Sequence, residues 1–301
     1  MKINTIADMI REAPHHGRTV AVAAAHDVEV LRACAEARKE HIASFILVGH
    51  RTEIEYILPG LGEDPADWTI IHEEDDRACA ATAARLVAEG RAQLIMKGIL
   101  NTATMLKGVL HTEGLLTGKL LSHVMMYEVD NYPRLIAMTD GGVNPYPTLE
   151  QKADILENCA RLLVRLGYEH INASCVCGAE NINPKIAATV EADQLAHMDA
   201  RWAPYHMDVI GPVGLDLAIS PRACQHKEYM APGCGEADIL LVPSYEVGNG
   251  IGKTLTYFAD ARSAGVVLGA KAPIVLCSRA DDAYTKLSSI ALGCLACPAG
   301  K

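Results

Sequence analysis

The chain lacks several features that would have placed it at once. No stretch approaches the roughly 18 uninterrupted apolar residues of a membrane span, so no spanning helix is expected. The start, Met1-Lys2-Ile3-Asn4-Thr5, has neither the apolar run nor the small-residue cleavage site of a secretory leader, and the cytoplasm is the expected location. Basic charge is scarce. Lys and Arg number 27 against 37 Asp and Glu, a formal charge of -10 that argues against nucleic acid as a partner. No G-x-x-x-x-G-K-[ST] occurs, which removes a Walker A loop. Neither an internal repeat nor a low-complexity linker stands out. The C-x-x-C at Cys294-Leu295-Ala296-Cys297 has no second pair at zinc-ribbon spacing. No metal or redox function is therefore expected at that pair, and most of the ten scattered cysteines read as small packed hydrophobes.

What remains is a soluble composition, 50% hydrophobic and 21% charged over 301 residues, enough for two domains. Apolar runs alternate with helical spacers along the whole length. Thr19 to Ala25, Ser44 to Gly49, Gln93 to Met96, Ala173 to Cys177, Ile239 to Pro243, Gly265 to Gly269 and Ile274 to Cys277 read as strands. A helix opens at Asp27, and an alanine-rich one spans Arg77 to Glu89. Continuous apolar strands between helices predict an α/β fold with a mainly parallel sheet covered on both faces. The Asp130-Asn131-Tyr132-Pro133 turn and the Gly141 to Pro147 stretch are candidate domain crossings.

Three strand ends carry chemistry. Pro273-Ile274-Val275-Leu276-Cys277 stops at Ser278-Arg279-Ala280-Asp281-Asp282. Arg279 offers a fixed fork of donors suited to phosphate, with the Ser278 hydroxyl beside it, and the carboxyl edge of an open α/β sheet is where ligands bind. Gln93-Leu94-Ile95-Met96 ends at Lys97-Gly98-Ile99-Leu100-Asn101-Thr102, where Gly98 permits a sharp exit and Thr102 is placed to cap the next helix. The strand ending at Pro243 leads into Ser244 to Lys253, read as a glycine-rich loop before a helix through Tyr257. Each segment alone fits an ordinary strand end or turn; together they point to one anionic ligand.

These segments resemble the phosphate acetyltransferase and phosphate butyryltransferase family. The likeness is carried by Met96-Lys97-Gly98 with Thr102, Leu121-Ser122-His123-Val124, Asp140-Gly141-Gly142-Val143-Asn144 and Glu150 to Ile155. It continues through Glu180-Asn181-Ile182-Asn183-Pro184-Lys185, Gly211 to Asp216 with Ala218-Ile219-Ser220, Ala237 to Leu240, Gly248-Asn249 and Ser278-Arg279-Ala280-Asp281. The Glu-Asn-Ile-Asn-Pro-Lys stretch and the Ser-Arg-Ala-Asp ending look like the butyryl branch. There are departures: Pro243-Ser244-Tyr245 stands where relatives show Pro-Asp-Leu, Ile210 where they often show Asp, and Thr285 at an acidic position of the acetyl branch.

The resemblance implies two α/β/α domains of the isocitrate/isopropylmalate-dehydrogenase-like kind with a cleft between them. The final segment would rejoin the first domain, giving residues 1–138 plus 271–301 and residues 139–270. It implies a homo-oligomer that moves a short acyl group, butyryl or a close analogue, reversibly between coenzyme A and orthophosphate. Coenzyme A thioester is then a substrate, and no metal or redox cofactor is expected. In this reading Arg279 grips phosphate and the developing oxyanion, and Ser278 donates to the carbonyl oxygen or departing sulfur. Asp281 or Asp282 assists the proton at the thiol. Lys97, Gly98 and Thr102 complete the anion site, Asn249 and Ser122 orient substrate, and Lys107 approaches the coenzyme A diphosphate. The alternatives are a phosphate acetyltransferase, a metal- and NAD-dependent hydroxyacid dehydrogenase of similar fold, and a non-catalytic acyl-CoA or acyl-phosphate-binding subunit. Cys277, next to Ser278, reads as a buried thiol rather than an acyl carrier, and His123 as a packed histidine rather than a base.

Overall fold

The computed structural model describes residues 2–298 and divides into two compact units. One comprises the residues up to Thr5 with Leu120–Ser263; the other comprises Ile6–Lys119 with the chain from Ala264 onward. The second of these opens with α1 (Ile6–Glu12), β1 (Arg18–Ala23), α2 (Val28–Lys39), β2 (Ala43–Gly49), α3 (Arg51–Ile57), β3 (Thr69–His72), α4 (Asp76–Ala88), β4 (Leu94–Lys97) and α5 (Thr102–Leu110). The other unit follows with β5 (Ser122–Glu128), β6 (Ile136–Thr139), α6 (Leu149–Arg165), β7 (Ile171–Val176), α7 (Ala187–Ala196), α8 (Asp199–Trp202), β8 (Met207–Val213), α9 (Leu215–Ile219), α10 (Pro221–His226), β9 (Ile239–Leu241) and α11 (Tyr245–Phe258). The chain then runs through β10 (Arg262–Leu268) and β11 (Ile274–Val275) into α12 (Ala283–Ala296).

The expected crossings at 138/139 and 270/271 fall elsewhere, for reasons of strand pairing. Ala137 and Met138 of β6 pair in parallel with Ile239 and Leu240 of β9, so a cut after Met138 would split one unit's own sheet. Likewise Val266 of β10 faces Val275 of β11, which brings β10 into the returning segment before residue 271.

In the unit built around β1, the strand order is β3-β2-β1-β4-β11-β10, parallel except for the β10–β11 pair. Val20 to Ala23 are all fully buried, as a strand covered on both faces must be. Helices α1, α2 and α12 pack together, and α4 packs on α5 and β1. Asp27 starts α2 by accepting from Val30 N–H at 2.9 Å, and Asp282 starts α12 by accepting from Thr285 N–H at 2.8 Å.

In the other unit the order is β5-β6-β9-β7-β8, antiparallel only at β5–β6. A capping box between Thr148 and Gln151 opens α6, the longest helix there, whose buried face includes Ile155, Leu156, Cys159 and Leu162.

Two expectations of local structure change. The segment Ser244 to Lys253 is helix from Tyr245, not a loop, so most of its backbone N–H groups are spent inside α11. Two of its glycines serve packing: a Cβ on Gly248 would lie 2.7 Å from the Gly141 Cα, and one on Gly252 would lie 2.5 Å from the Tyr127 hydroxyl. The last strand is also far shorter than its apolar run, with only Ile274 and Val275 in the ladder.

Candidate active site

The topology already marks a place for a ligand. From β1 the chain winds to β2 and β3 on one side, then crosses to β4 on the other, so the sheet order reverses between β1 and β4. Ligands of open α/β sheets bind at the carboxyl ends of the strands at such a reversal. Ala23 of β1 pairs with Lys97 of β4, and Val275 of β11 pairs with Met96. Three parallel neighbours therefore finish level with one another, and their exits are the segments at Asp27, Lys97–Gly98–Ile99 and Cys277–Ser278–Arg279.

Those exits enclose a hollow of about 110 Å³, lined also by Val30 and by Lys286 from the first turn of α12. Gly98 is indispensable to the shape. A Cβ there would stand 2.1 Å from the Ala24 carbonyl oxygen, and the Gly98 N–H instead donates to the Ala23 carbonyl at 2.8 Å.

The charge inside is lopsided. Lys97 is 5% exposed and its ammonium donates to the carbonyls of Gly98 at 3.1 Å and Leu100 at 3.2 Å. Lys286 is 3% exposed and donates to the Asp281 carbonyl. Among the described residues neither makes an ion pair. Asp27 is the one carboxylate in the lining, set against Lys97, Lys286 and the exposed Arg279. Burial pulls the Lys97 ammonium below the usual lysine range, and the nearby Arg279 and Lys286 charges add to that. Holding buried ammonium groups without a counter-ion costs on the order of a few kcal/mol each, which a bound anion offsets.

The turn beyond β11 is tightly organised. The Asp281 carboxylate accepts from the Ser278 N–H at 2.7 Å, the Asp281 N–H donates to the Ser278 carbonyl at 3.2 Å, and the Ser278 hydroxyl oxygen accepts from the Ala280 N–H at 3.4 Å. Among the described residues the Ser278 hydroxyl proton has no acceptor and is available to a ligand. Asp281 thus shapes the turn through one carboxylate oxygen, and Asp282 caps α12 through one of its own. Cys277 is buried, and desolvation pushes its thiol up to about 11, against a nucleophilic thiolate.

The remaining sequence candidates separate. Thr102 is the first residue of α5, but the cap is Asn101, which accepts from Thr104 N–H at 2.8 Å. Lys107 is exposed on the same helix. Ser122 and Asn249 belong to the other unit. Ser122 is fully buried with its hydroxyl receiving an Asn158 amide N–H at 2.9 Å, so it holds α6 against β5 rather than facing a substrate. Asn249 is exposed in α11. Sequence reading passed over Lys286 and Asp27 as lining residues; a lysine inside a helix buried from Leu287 to Ala296 was the available signal for the first.

In that other unit the Asp140 to Asn144 motif forms a closed network. Oδ1 of Asp140 accepts from the N–H groups of Gly142 and Val143, both at 2.8 Å. Oδ2 accepts from His123 N–H at 3.0 Å and the Asn144 amide at 2.6 Å. A Cβ on Gly142 would lie 2.3 Å from His123 Nδ1, so this glycine and the buried His123 are packing partners, as expected for the histidine.

Comparison with known proteins now defines the class. The profile described as phosphate acetyl/butaryl transferase matches residues 75–294, and the chain belongs to that family. Phosphate butyryltransferase of Clostridium acetobutylicum is 42% identical over 92% of this chain and 93% of its own. Phosphate acetyltransferase of Thermotoga maritima is 36% identical, over 94% of this chain and 97% of its own. A crystal structure of a branched-chain phosphotransacylase from Enterococcus faecalis superposes with a TM-score of 0.81 at 34% identity, covering 93% of this chain and 98% of that one.

Proposed function

We infer that this protein is an acyltransferase that moves a short acyl group reversibly between coenzyme A and orthophosphate, with butyryl-CoA or a close analogue as the thioester. The observation that carries the reading is the hollow at the β1/β4 reversal, where Lys97, Lys286 and Arg279 meet a single carboxylate. Family membership supplies the reaction class. Phosphate is already a nucleophile, so the protein's task is to bind it, orient it and stabilise charge.

One phosphate oxygen attacks the thioester carbonyl carbon. The C–S bond breaks as the new C–O bond forms, and the phosphate proton ends on the coenzyme A thiol. Arg279 grips phosphate through paired charge-assisted hydrogen bonds and meets the developing oxyanion. The free Ser278 hydroxyl proton donates to the carbonyl oxygen or the departing sulfur. Lys97 adds charge from the floor of the hollow. Asn249 orienting the thioester, Lys107 meeting the coenzyme A diphosphate and Asp281 assisting the thiol proton stay part of the proposal, while the fully buried Ser122 is not used. Alignment of two bound substrates supplies about 7–11 kcal/mol of barrier lowering in well-oriented reactions, and no metal or redox cofactor is called for. A homo-oligomer and a cytoplasmic location complete the reading. Light scattering tests the first; among the described residues no helix is long and apolar enough to cross a membrane.

The test is thiol release from butyryl-CoA with and without phosphate. Release only with phosphate is expected. Phosphate-independent release would mark a hydrolase, and no release from acetyl-, propionyl-, butyryl- or branched acyl-CoA would mark a binding subunit. Faster turnover of acetyl-CoA than of the longer thioesters would assign the phosphate acetyltransferase branch.

A further inference from the structure

We propose that Lys286 is a member of the phosphate site: it supplies the charge that lets the hollow favour a doubly charged anion, and it fixes the turn that presents Arg279. This deepens the reading above and rests on it for the identity of the anion. Two independent placements lead to it. First, Lys286 lines the same hollow as Lys97, Ser278 and Arg279 while being 3% exposed. Its neighbours along α12 are Leu287, Ser288, Ser289, Ile290 and Ala291, all buried, so the helix carries one ammonium in an otherwise uncharged face. Second, among the described residues its ammonium is held by a backbone carbonyl, that of Asp281. The same Asp281 holds the Ser278 N–H through its carboxylate, so the ammonium ties the far end of the turn whose middle is Arg279.

Burial of a lysine for stability alone is poorly served by this geometry. A methionine of similar length would fill the same space without the cost of desolvating a charge. Facing Lys286 around the hollow are Asp27, Lys97, Cys277 and Arg279, with Asp281 beneath it. With the thiol neutral, Lys97, Lys286 and Arg279 outnumber Asp27 in the lining and Asp281 beneath it, so the hollow carries a net positive charge that awaits an anion. A phosphate dianion is held there more strongly than a monoanion, because the three cations act on both of its charges. Lys286 reaches the chemistry through the anion and through Arg279; it is a positioning and binding group, with no bond made or broken on it.

The experiment titrates inorganic phosphate calorimetrically into the whole chain and into Lys286→Met, with sulfate and nitrate as competing anions. The variant is expected to bind phosphate about tenfold more weakly and to lose the wild-type preference for sulfate over nitrate, while its melting temperature is not lowered. In turnover, the phosphate KM rises about tenfold and the acyl-CoA KM stays within about twofold. Unchanged phosphate affinity with unchanged anion preference overturns the proposal, and so does a wild-type protein that binds no phosphate. Lys286→Gln is read the same way if the methionine variant does not fold; failure of both to fold assigns Lys286 to the scaffold and likewise overturns it. If phosphate binds as described but no acyl-CoA releases thiol, the acyl-transfer reading falls and the role of Lys286 stands.

Discussion

Two polar clusters in this molecule are built on opposite principles. Around Asp140, one carboxylate receives four donors, two on each oxygen, and nothing is left over. Around Lys97 and Lys286, two buried ammonium groups make do with backbone carbonyls and face a third cation. The first cluster is frame: a saturated network rigidifies a loop and presents no unmet demand. The second is a site, because its electrostatics close only when an anion arrives. Asp140 and Lys97 both stand in segments that carry the family likeness, so likeness alone does not tell frame from site; the balance of donors and acceptors does.

Substitutions sharpen that contrast. The largest effect is expected at Arg279, which is exposed and, among the described residues, forms no ion pair. Arg279→Ala is expected to lower kcat/KM for phosphate by about 10²–10³ with an unchanged melting temperature, the size seen when an oxyanion donor is removed. Near-normal turnover would take Arg279 out of the mechanism. Asp140→Ala is the counterpart in the frame. Its four orphaned donors should cost about 3–5 kcal/mol in urea unfolding, judged by the penalty for breaking buried charged networks. A change below about 1 kcal/mol would show that the loop holds itself without the carboxylate.

Lys97 comes next. Its ammonium is needed to hold phosphate, and burial lowers its pKa, so the proton is lost on the way up in pH before an ordinary lysine near about 10.4 would lose it. The expected sign is therefore a fall in kcat/KM for phosphate on the alkaline side, beginning below the usual lysine range. Lys97→Met should be about tenfold slower at neutral pH and lack that limb; a limb unchanged in the variant would assign it to another group. The smallest effect belongs to Cys277. With its thiol pushed up to about 11 by burial, Cys277→Ala is expected to keep turnover within about threefold. A hundredfold loss, or acyl group trapped on the protein, would revive an acyl-enzyme.

Much of this arrangement was legible in the sequence. The parallel sheet showed in the unbroken apolar runs, and Lys97, Gly98, Ser278 and Arg279 stood out because each follows such a run directly. What stayed hidden depends on approach in space. The glycines at 248 and 252 read as a phosphate-cradling loop, whereas they are there because Gly141 and Tyr127 come too close for a side chain. Ser122 looked like a site hydroxyl until its burial against Asn158 was seen. The Asn101 cap hid behind the equally plausible Thr102. Lys286 was missed because a helical lysine is ordinarily solvated, and only the packing of α12 reveals that this one is not.

The brevity of β11 has a thermodynamic consequence. With two residues in the ladder, the arginine-bearing turn hangs from the sheet by few backbone bonds, unlike the six-residue β1 at its centre. Segments so lightly anchored open at a small fraction of the free energy of global unfolding. An anion bridging Arg279, Lys97 and Lys286 would act as a clasp between that turn and β4. Amide hydrogens from Ser278 to Asp281 should then exchange markedly more slowly once phosphate is bound, while those of β1 keep their pace.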